Sequence, residues 1–184
     1  MPEITDYLSR TPALAEKIVK RLTETGKWIA TAESCTAGLA ASFIASVPGA
    51  SKVFWGAFIT YTADAKTKLL GVDEGLIREY GEVSRPVALA MAEGALEKSG
   101  ASMAFSITGL AGPDNDAAGT PVGTVWVGLA GFEGKTFGRL QPEAKLFHFT
   151  GSRNEVREAA SAAALEEVLE RILTGNIDKD EVLV

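Results

Sequence analysis

The segment Glu33-Ser34-Cys35-Thr36 places two hydroxyls and a thiol where a predicted strand gives way to a helix. The free N–H groups and the positive dipole end of a helix favour a bound anion or a developing oxyanion at such a place. We therefore consider Ser34 as a nucleophile. Two alternatives stay open on the pattern alone. Ser34 or Thr36 merely caps the helix, or Cys35 attacks as a thiolate whose pKa the helix lowers.

A hydroxyl nucleophile needs a base, and the candidates are Lys66, Lys68 and His148. Lys66 lies in the first turn of a predicted helix, where the dipole and partial burial both favour a neutral amine. Lys68 points to another side of that helix, and His148 alternates with apolar residues as a surface-facing strand residue does. Because most helix lysines are simply solvated, the pattern alone leaves the base open.

A loop rich in Gly, Pro and Asp runs from Gly109 to Pro121, directly after a predicted strand. Glycines let the backbone approach a ligand closely, and exposed N–H groups can hold a phosphate. A plain turn is the alternative interpretation. The length of the loop favours binding, because long loops without secondary structure are uncommon in compact domains.

The elements that must position these residues alternate along the chain. Thr11-Pro12 is typical of a helix start, and Ser152-x-x-Glu155 is a capping box before the last helix. The alternation predicts helices on both faces of one mixed sheet, with sites where strands end and helices begin. Strands are predicted at 27–31, 53–61, 102–108, 122–130 and 145–150, and helices at 11–25, 37–45, 63–70, 73–80, 84–99 and 152–174.

Composition limits the class of protein further. The chain has 184 residues, 46% hydrophobic and 23% charged, which is typical of one globular domain with its core at about 11–174 and a frayed tail at 175–184. One cysteine and one histidine supply neither a disulfide framework nor a zinc site, and this favours the reducing cytoplasm. The net charge of −6 with scattered basic residues disfavours nucleic acid, and no apolar run reaches the length of a membrane span.

Several segments together resemble the CinA C-terminal domain family, which includes stand-alone nicotinamide-mononucleotide amidohydrolases. The resemblance covers residues 14–173, nearly the whole chain. The segments that carry it, in order and spacing, are Ala32-Glu33-Ser34-Cys35-Thr36, Tyr61 with Lys66, Gly81-x-Val83-Ser84, Gly109-x-Ala111-Gly112-Pro113 and Pro121-Val122-Gly123-Thr124-Val125.

The resemblance implies a three-layer α/β/α sandwich and hydrolysis of nicotinamide mononucleotide to nicotinic acid mononucleotide and ammonia. It implies a catalytic serine–lysine pair on Ser34 and Lys66, assisted by an arginine that corresponds to Arg153. We expect Tyr61 to orient the lysine or to line the pocket, with core packing as the alternative, and we expect no metal or other cofactor. We also expect the protein to form a homo-oligomer. Its expected ligand is a small nucleotide substrate, and we expect it to bind neither nucleic acid nor a membrane. The residues expected to contact that substrate are Glu33, Cys35, Thr36, Thr108, Gly109, Gly112 and Arg153.

Three positions depart from the family pattern. Ser152, in Gly151-Ser152-Arg153, stands where the family has an acidic residue, and Ala37 stands where glycine is usual. Asp114-Asn115-Asp116 replaces a usual Gly-Gly and adds acidity beside the expected phosphate loop. A function of a different class also stays open, that of a nucleotide-binding accessory module without catalysis.

Overall fold

The computed structural model describes residues 4–131 and 141–175 of the chain. The Gly-rich connection between the last two strands, at 132–140, and the tail predicted to fray, from 176 on, lie outside the described residues. In chain order the elements are α1 (Ile4–Thr25), β1 (Ile29–Glu33), α2 (Leu39–Ala45), β2 (Phe54–Ile59), α3 (Ala63–Leu70), α4 (Glu74–Tyr80), α5 (Arg85–Ser99), β3 (Met103–Gly109), β4 (Thr124–Gly131), β5 (Glu143–His148) and α6 (Arg153–Gly175).

The five strands form one mixed sheet in the order β2-β1-β3-β4-β5. Strands β2, β1 and β3 are parallel, whereas β4 is antiparallel to both of its neighbours. Consequently β5 runs in the same direction as β1. The carboxyl ends of β1, β2, β3 and β5 therefore meet at one edge, where binding sites of such sheets form.

Helices cover both faces of the sheet: α1, α2 and α6 pack on one, and α3, α4 and α5 on the other. Large side chains such as Phe105 face the α1–α6 layer, while Ala30 and Ala104 face α5. The small residues let α5 lie directly on the sheet. A Cβ atom on Gly128 would come within 2.5 Å of the carbonyl oxygen of Ala88 in α5. The predicted three-layer α/β/α sandwich is confirmed.

Side-chain caps fix the helices around the predicted site. Thr62, Asp73 and Ser84 accept N–H bonds at the starts of α3, α4 and α5. Gly71 and Gly100 end α3 and α5 in the left-handed conformation, as the sequence predicted. The predicted start of α1 at Thr11 is wrong, because the helix begins at Ile4 and includes Pro12. The fixed φ of proline is itself helical, so the chain continues upstream with one N–H bond fewer.

None of the helices within 4–131 and 141–175 has both the length and the apolarity required to cross a membrane.

Candidate active site

The structure brings Ser34 and Lys66 into contact inside the protein. Lys66 Nζ donates hydrogen bonds to Ser34 Oγ at 3.1 Å, to the carbonyl oxygen of Thr60 at 3.2 Å and to Glu82 Oε2 at 2.8 Å. Lys66 is fully buried, and Ser34 is 7% exposed. A buried hydroxyl that shares a hydrogen bond with an amine is the arrangement required for a serine nucleophile and its base.

Three strand ends hold this pair at the carboxyl edge of the sheet. Ser34 follows the last residue of β1, and its N–H donates to the carbonyl of Ile107 in β3 at 2.9 Å. Thr60 follows β2, and its N–H donates to the carbonyl of Glu33 at 2.8 Å. Helix α3 begins three residues after Thr60, which places Lys66 in its first turn, next to the end of β1.

The side chain of Glu33 makes hydrogen bonds within the protein and stabilises the start of α2. Its carboxylate is fully buried and accepts the N–H groups of Gly38 at 2.9 Å, Ala40 at 3.3 Å and Ala41 at 2.8 Å, and the hydroxyl of Thr31 at 3.3 Å. The predicted substrate contact of Glu33 does not agree with this placement. The free N–H groups at the start of α2, which the sequence assigned to an anion or oxyanion, are likewise occupied by this carboxylate.

A tight turn separates Ser34 from α2, which begins at Leu39 rather than at Ala37 as predicted. Ala37 adopts a left-handed backbone conformation with a φ of 51°. Within the described part of the chain, the backbone N–H of Thr36 has no hydrogen-bond partner, and that of Cys35 has none beyond its own thiol. These two groups follow the serine directly and are therefore the N–H groups left for an oxyanion.

The side chain of Cys35 belongs to the core between α1, α2 and α6. Burial above all, and then the charge of Glu33, raises the pKa of the thiol from 9.0 to about 12. This shift is opposite to the lowered pKa that the alternative hypothesis of a thiolate nucleophile requires, and the predicted substrate contact of the thiol does not agree with its burial. Thr36 is also fully buried, and its hydroxyl has no partner among the described residues.

Arg153 connects the end of β2 with the loop after β3. Its guanidinium donates to the hydroxyl of Tyr61 at 2.6 Å and to the carbonyl of Gly112. Tyr61 is half-exposed. These three predicted site residues thus form one cluster beside the buried serine–lysine pair, in which the side chains of Tyr61 and Arg153 are exposed, Gly112 is buried, and the guanidinium supplies the positive charge.

Arg157, one helical turn after Arg153, is a site residue that sequence analysis missed. It donates to the carbonyl oxygens of Cys35 and Thr36, both at 3.1 Å. Residues four apart lie on the same side of a helix. The first two turns of α6 therefore lie over the turn that follows Ser34, and Arg153 lies about one turn away from it.

Thr108 and Gly109 make contacts within the protein that stabilise its fold. The hydroxyl of Thr108 donates to the carbonyl of Glu82 at 2.8 Å, and the residue is buried. A Cβ atom on Gly109 would come within 2.7 Å of the Val125 side chain, so glycine is needed there for contact with β4. The predicted substrate contacts of these two residues do not agree with this placement.

The other candidate bases lie elsewhere. Lys68 forms a surface ion pair with Asp64 at 2.9 Å, and both side chains are largely exposed. His148 is exposed at the end of β5, with Nδ1 3.4 Å from Thr124 Oγ1. Strand β5 is three strands from β1, or about 14 Å at the usual spacing. Of the three candidates, Lys66 alone reaches Ser34.

The acidic loop after β3 is held by its own side chains. Asn115 Oδ1 accepts the N–H of Val122 at 3.0 Å, and Asp116 Oδ1 accepts the N–H of Thr120 at 2.8 Å. The hydrogen bond from the Thr120 side chain, followed by that from its N–H, lowers the pKa of Asp116. In the two described ranges, no three His, Cys, Asp or Glu side chains come together as the ligands of a metal would.

Known proteins with the same fold and related sequences place this site in a family. The family model of the CinA C-terminal domain matches residues 11–172. A CinA-like protein of Chlorobium limicola is 43% identical over 161 residues, which are 88% of this chain but only 37% of that protein. The chain therefore spans well under half the length of such relatives.

Shorter relatives match over nearly their whole length. The nicotinamide-nucleotide amidohydrolase PncC of Enterobacter agglomerans is 40% identical over 164 residues, which are 89% of this chain and 96% of that protein. The crystal structure of the competence/damage inducible protein CihA from Agrobacterium tumefaciens superposes with a TM-score of 0.81 at 37% identity, covering 87% of this chain and 94% of that chain. The chain belongs to the CinA C-terminal domain family.

Proposed function

We propose that this chain is an amidohydrolase that converts nicotinamide mononucleotide to nicotinic acid mononucleotide and ammonia, with Ser34 as nucleophile and Lys66 as base. The observation that carries the proposal is the hydrogen bond of 3.1 Å between Lys66 Nζ and Ser34 Oγ in a buried site. The substrate is suggested by the 40% identity to the nicotinamide-nucleotide amidohydrolase of Enterobacter agglomerans, whose length the chain matches almost entirely.

In the first half of the reaction, the neutral amine of Lys66 accepts the Ser34 proton while Oγ attacks the carboxamide carbon. The N–H groups of Cys35 and Thr36 stabilise the oxyanion of the tetrahedral intermediate. The lysine then returns the proton to the amide nitrogen, the C–N bond breaks, and ammonia leaves. An ester between Ser34 and the nicotinic acid moiety remains.

In the second half, water attacks the ester carbon and gives its proton to Lys66. The bond to Oγ breaks, and the proton passes to the serine. The products are nicotinic acid mononucleotide and the regenerated hydroxyl. Every step uses one proton carried by one amine, so the mechanism needs a single buried base and no metal-bound water.

The cluster beside the pair suits the phosphate end of the substrate. Arg153 presents a planar guanidinium, which binds phosphate through two parallel hydrogen bonds. Its contacts with Tyr61 and Gly112 fix its position near the turn after Ser34. Ser152, at the family's acidic position, donates its N–H and its hydroxyl to Glu155 Oε2 at 2.7 and 2.6 Å, so the carboxylate at the start of α6 is that of Glu155.

The experiment is ammonia release by the purified chain, supplied in parallel with nicotinamide mononucleotide and with nicotinamide. We expect release from the nucleotide, little from the free base, and none with Ser34→Ala. Binding of the nucleotide without release of ammonia would instead support the non-catalytic accessory module. Release that persists in Ser34→Ala would contradict the serine mechanism.

A further inference from the structure

The buried end of Lys66 is surrounded by three acceptors. A protonated lysine carries three N–H donors and no acceptor. Ser34 Oγ, the Thr60 carbonyl and Glu82 Oε2 lie 2.8 to 3.2 Å from Nζ, one for each donor. A lysine that is to take the proton of Ser34 must first present a lone pair to it. Because the serine hydroxyl both donates and accepts, these three contacts fit the ammonium, which donates to all three, and also the neutral amine, which accepts from Ser34.

Glu82 differs from the other two acceptors in charge and exposure. Its side chain is 45% exposed, whereas that of Lys66 is fully buried. A carboxylate can accept a proton and pass it to water, which a backbone carbonyl cannot do. Of the three acceptors, only Glu82 can both stabilise the ammonium by charge and connect it with solvent.

The backbone of Glu82 is fixed from two sides. Thr108 donates its hydroxyl to the Glu82 carbonyl at 2.8 Å. Ser84, which caps α5, donates its hydroxyl to the Gly81 carbonyl at 2.9 Å. These two bonds anchor the turn between α4 and α5 to the end of β3, so the carboxylate is held against Lys66 by the fold.

The remaining charged or titratable groups near Lys66 make no hydrogen bond or ion pair with it in the described part of the chain. They belong to the neighbouring elements and have other partners or no charge: the neutral thiol of Cys35 after β1, Glu33 bonded to α2, Arg157 of α6 bonded to the carbonyls of Cys35 and Thr36, and Asp64 and Lys68 of α3 paired with each other. From β2, only the Thr60 carbonyl reaches Nζ.

We propose that Glu82 is a positioning residue that keeps Lys66 protonated in the resting protein and carries its proton to solvent when the lysine becomes a base. This inference rests on the proposed function, since it assigns the control of the same base. Its consequence is that removal of the Glu82 charge leaves the Lys66 ammonium without its charged partner and makes the lone pair of the amine more readily available to Ser34.

The first test is the pH dependence of kcat/KM for nicotinamide mononucleotide in Glu82→Gln, which keeps the shape and an acceptor oxygen but removes the charge. We expect the acidic limb to move to lower pH by at least about one unit, the scale of a single close opposite charge. Glu79→Gln, a change at the last turn of α4, is the matched control and should leave the limb in place. An unchanged limb in Glu82→Gln, or one moved to higher pH, would overturn the proposal.

A second readout does not need turnover. In protein labelled with ¹³C at the lysine Cε, the Lys66 signal is assigned by its loss in Lys66→Met and then titrated. We expect its protonation midpoint to fall in Glu82→Gln and to stay unchanged in Glu79→Gln. An unchanged midpoint in Glu82→Gln refutes the role of Glu82 even in an active amidohydrolase. A lowered midpoint in a chain that releases no ammonia supports Glu82 and refutes the proposed function alone.

Discussion

Two pairs of a hydroxyl and a nitrogen base lie at the same edge of the sheet, and they differ in almost everything else. Ser34 and Lys66 are buried at the end of β1, 3.1 Å apart, and the lysine has two further acceptors. Thr124 and His148 pair across β4 and β5 at 3.4 Å, with the histidine exposed. By residue type alone the second pair is the more conventional, since histidine is the usual general base.

The difference shows that the surroundings of a base matter more than its type. An exposed imidazole is hydrated and free to rotate, so it neither holds a hydroxyl in one direction nor excludes water from the reaction. Three acceptors surround the buried amine of Lys66, and the N–H groups of Cys35 and Thr36 follow Ser34 directly along the chain. The buried pair is therefore the one that we propose as nucleophile and base.

The largest expected effect is a difference in kcat between variants that lack the hydroxyl of Ser34 and variants that lack that of Thr124. Ser34→Ala should lower kcat by at least about 10³-fold, because the nucleophile and its covalent intermediate are lost. Thr124→Ala removes the hydroxyl of the other pair and should leave kcat nearly unchanged. Ammonia release under saturating nucleotide measures both. Comparable losses in the two variants would remove the distinction between the pairs.

The next largest effect is a difference in kcat among variants of the three candidate bases, Lys66, Lys68 and His148. Lys66→Met should cost at least about 10²-fold in kcat, the usual scale for the loss of a general base. Lys68→Met and His148→Ala should cost little, because their side chains are exposed and face away from Ser34. Steady-state rates of the three variants, with circular dichroism to verify folding, provide the comparison. An unchanged rate in Lys66→Met would exclude lysine and make His148 the next candidate.

A smaller effect concerns Cys35, the neighbour of the nucleophile. Because the pKa of its thiol is raised to about 12, the fraction present as thiolate in the folded protein at pH 8 is about 10⁻⁴. Iodoacetamide should therefore leave Cys35 unmodified in the folded protein and alkylate it after unfolding in urea, which mass spectrometry measures. Cys35→Ala should retain most of the turnover. Rapid alkylation of the folded protein would show that the thiol is accessible and ionised.

The smallest effect is on stability and lies in the turn between Ser34 and α2. Ala37 has a φ of 51°, which costs an L-residue roughly 1–2 kcal/mol relative to a right-handed conformation. Ala37→Gly relieves that strain but increases the conformational entropy of the unfolded chain. We therefore expect a net gain of about 0.5–1 kcal/mol in the free energy of unfolding. Urea denaturation measures it. A destabilised Ala37→Gly would mean that the methyl group has a packing role.

Much of the fold could be predicted from local signals. The ends of α3, α4 and α5 were predicted to within one residue, because a capping side chain begins each helix and glycine follows it. The start of α1 was wrong because Thr11-Pro12 resembles a cap, although Pro12 lies inside a longer helix. A Thr-Pro pair is therefore an ambiguous signal, because the fixed φ of proline also fits the interior of a helix at the loss of one N–H bond.

The site could be predicted only where its residues have distinctive surroundings in the sequence. Ser34 and Lys66 lie at element boundaries, and there the family resemblance agrees with the residue types. Glu82 occupies the unspecified position of Gly81-x-Val83-Ser84, and Arg157 looks like any exposed helix arginine. Both reach the site through contacts with residues 16 and more than 100 positions away, which no local pattern records.

We propose that Ser34, and not its neighbour Cys35, forms the covalent intermediate. Nicotinamide mononucleotide is mixed with the protein, the reaction is quenched in acid during turnover, and the protein is digested with trypsin. Fragmentation of the peptide from Trp28 to Lys52, which holds both Ser34 and Cys35, then locates the added acyl group. We expect the nicotinic acid mononucleotide group on Ser34. The same group on Cys35, or steady turnover without any acyl group on the protein, would contradict it.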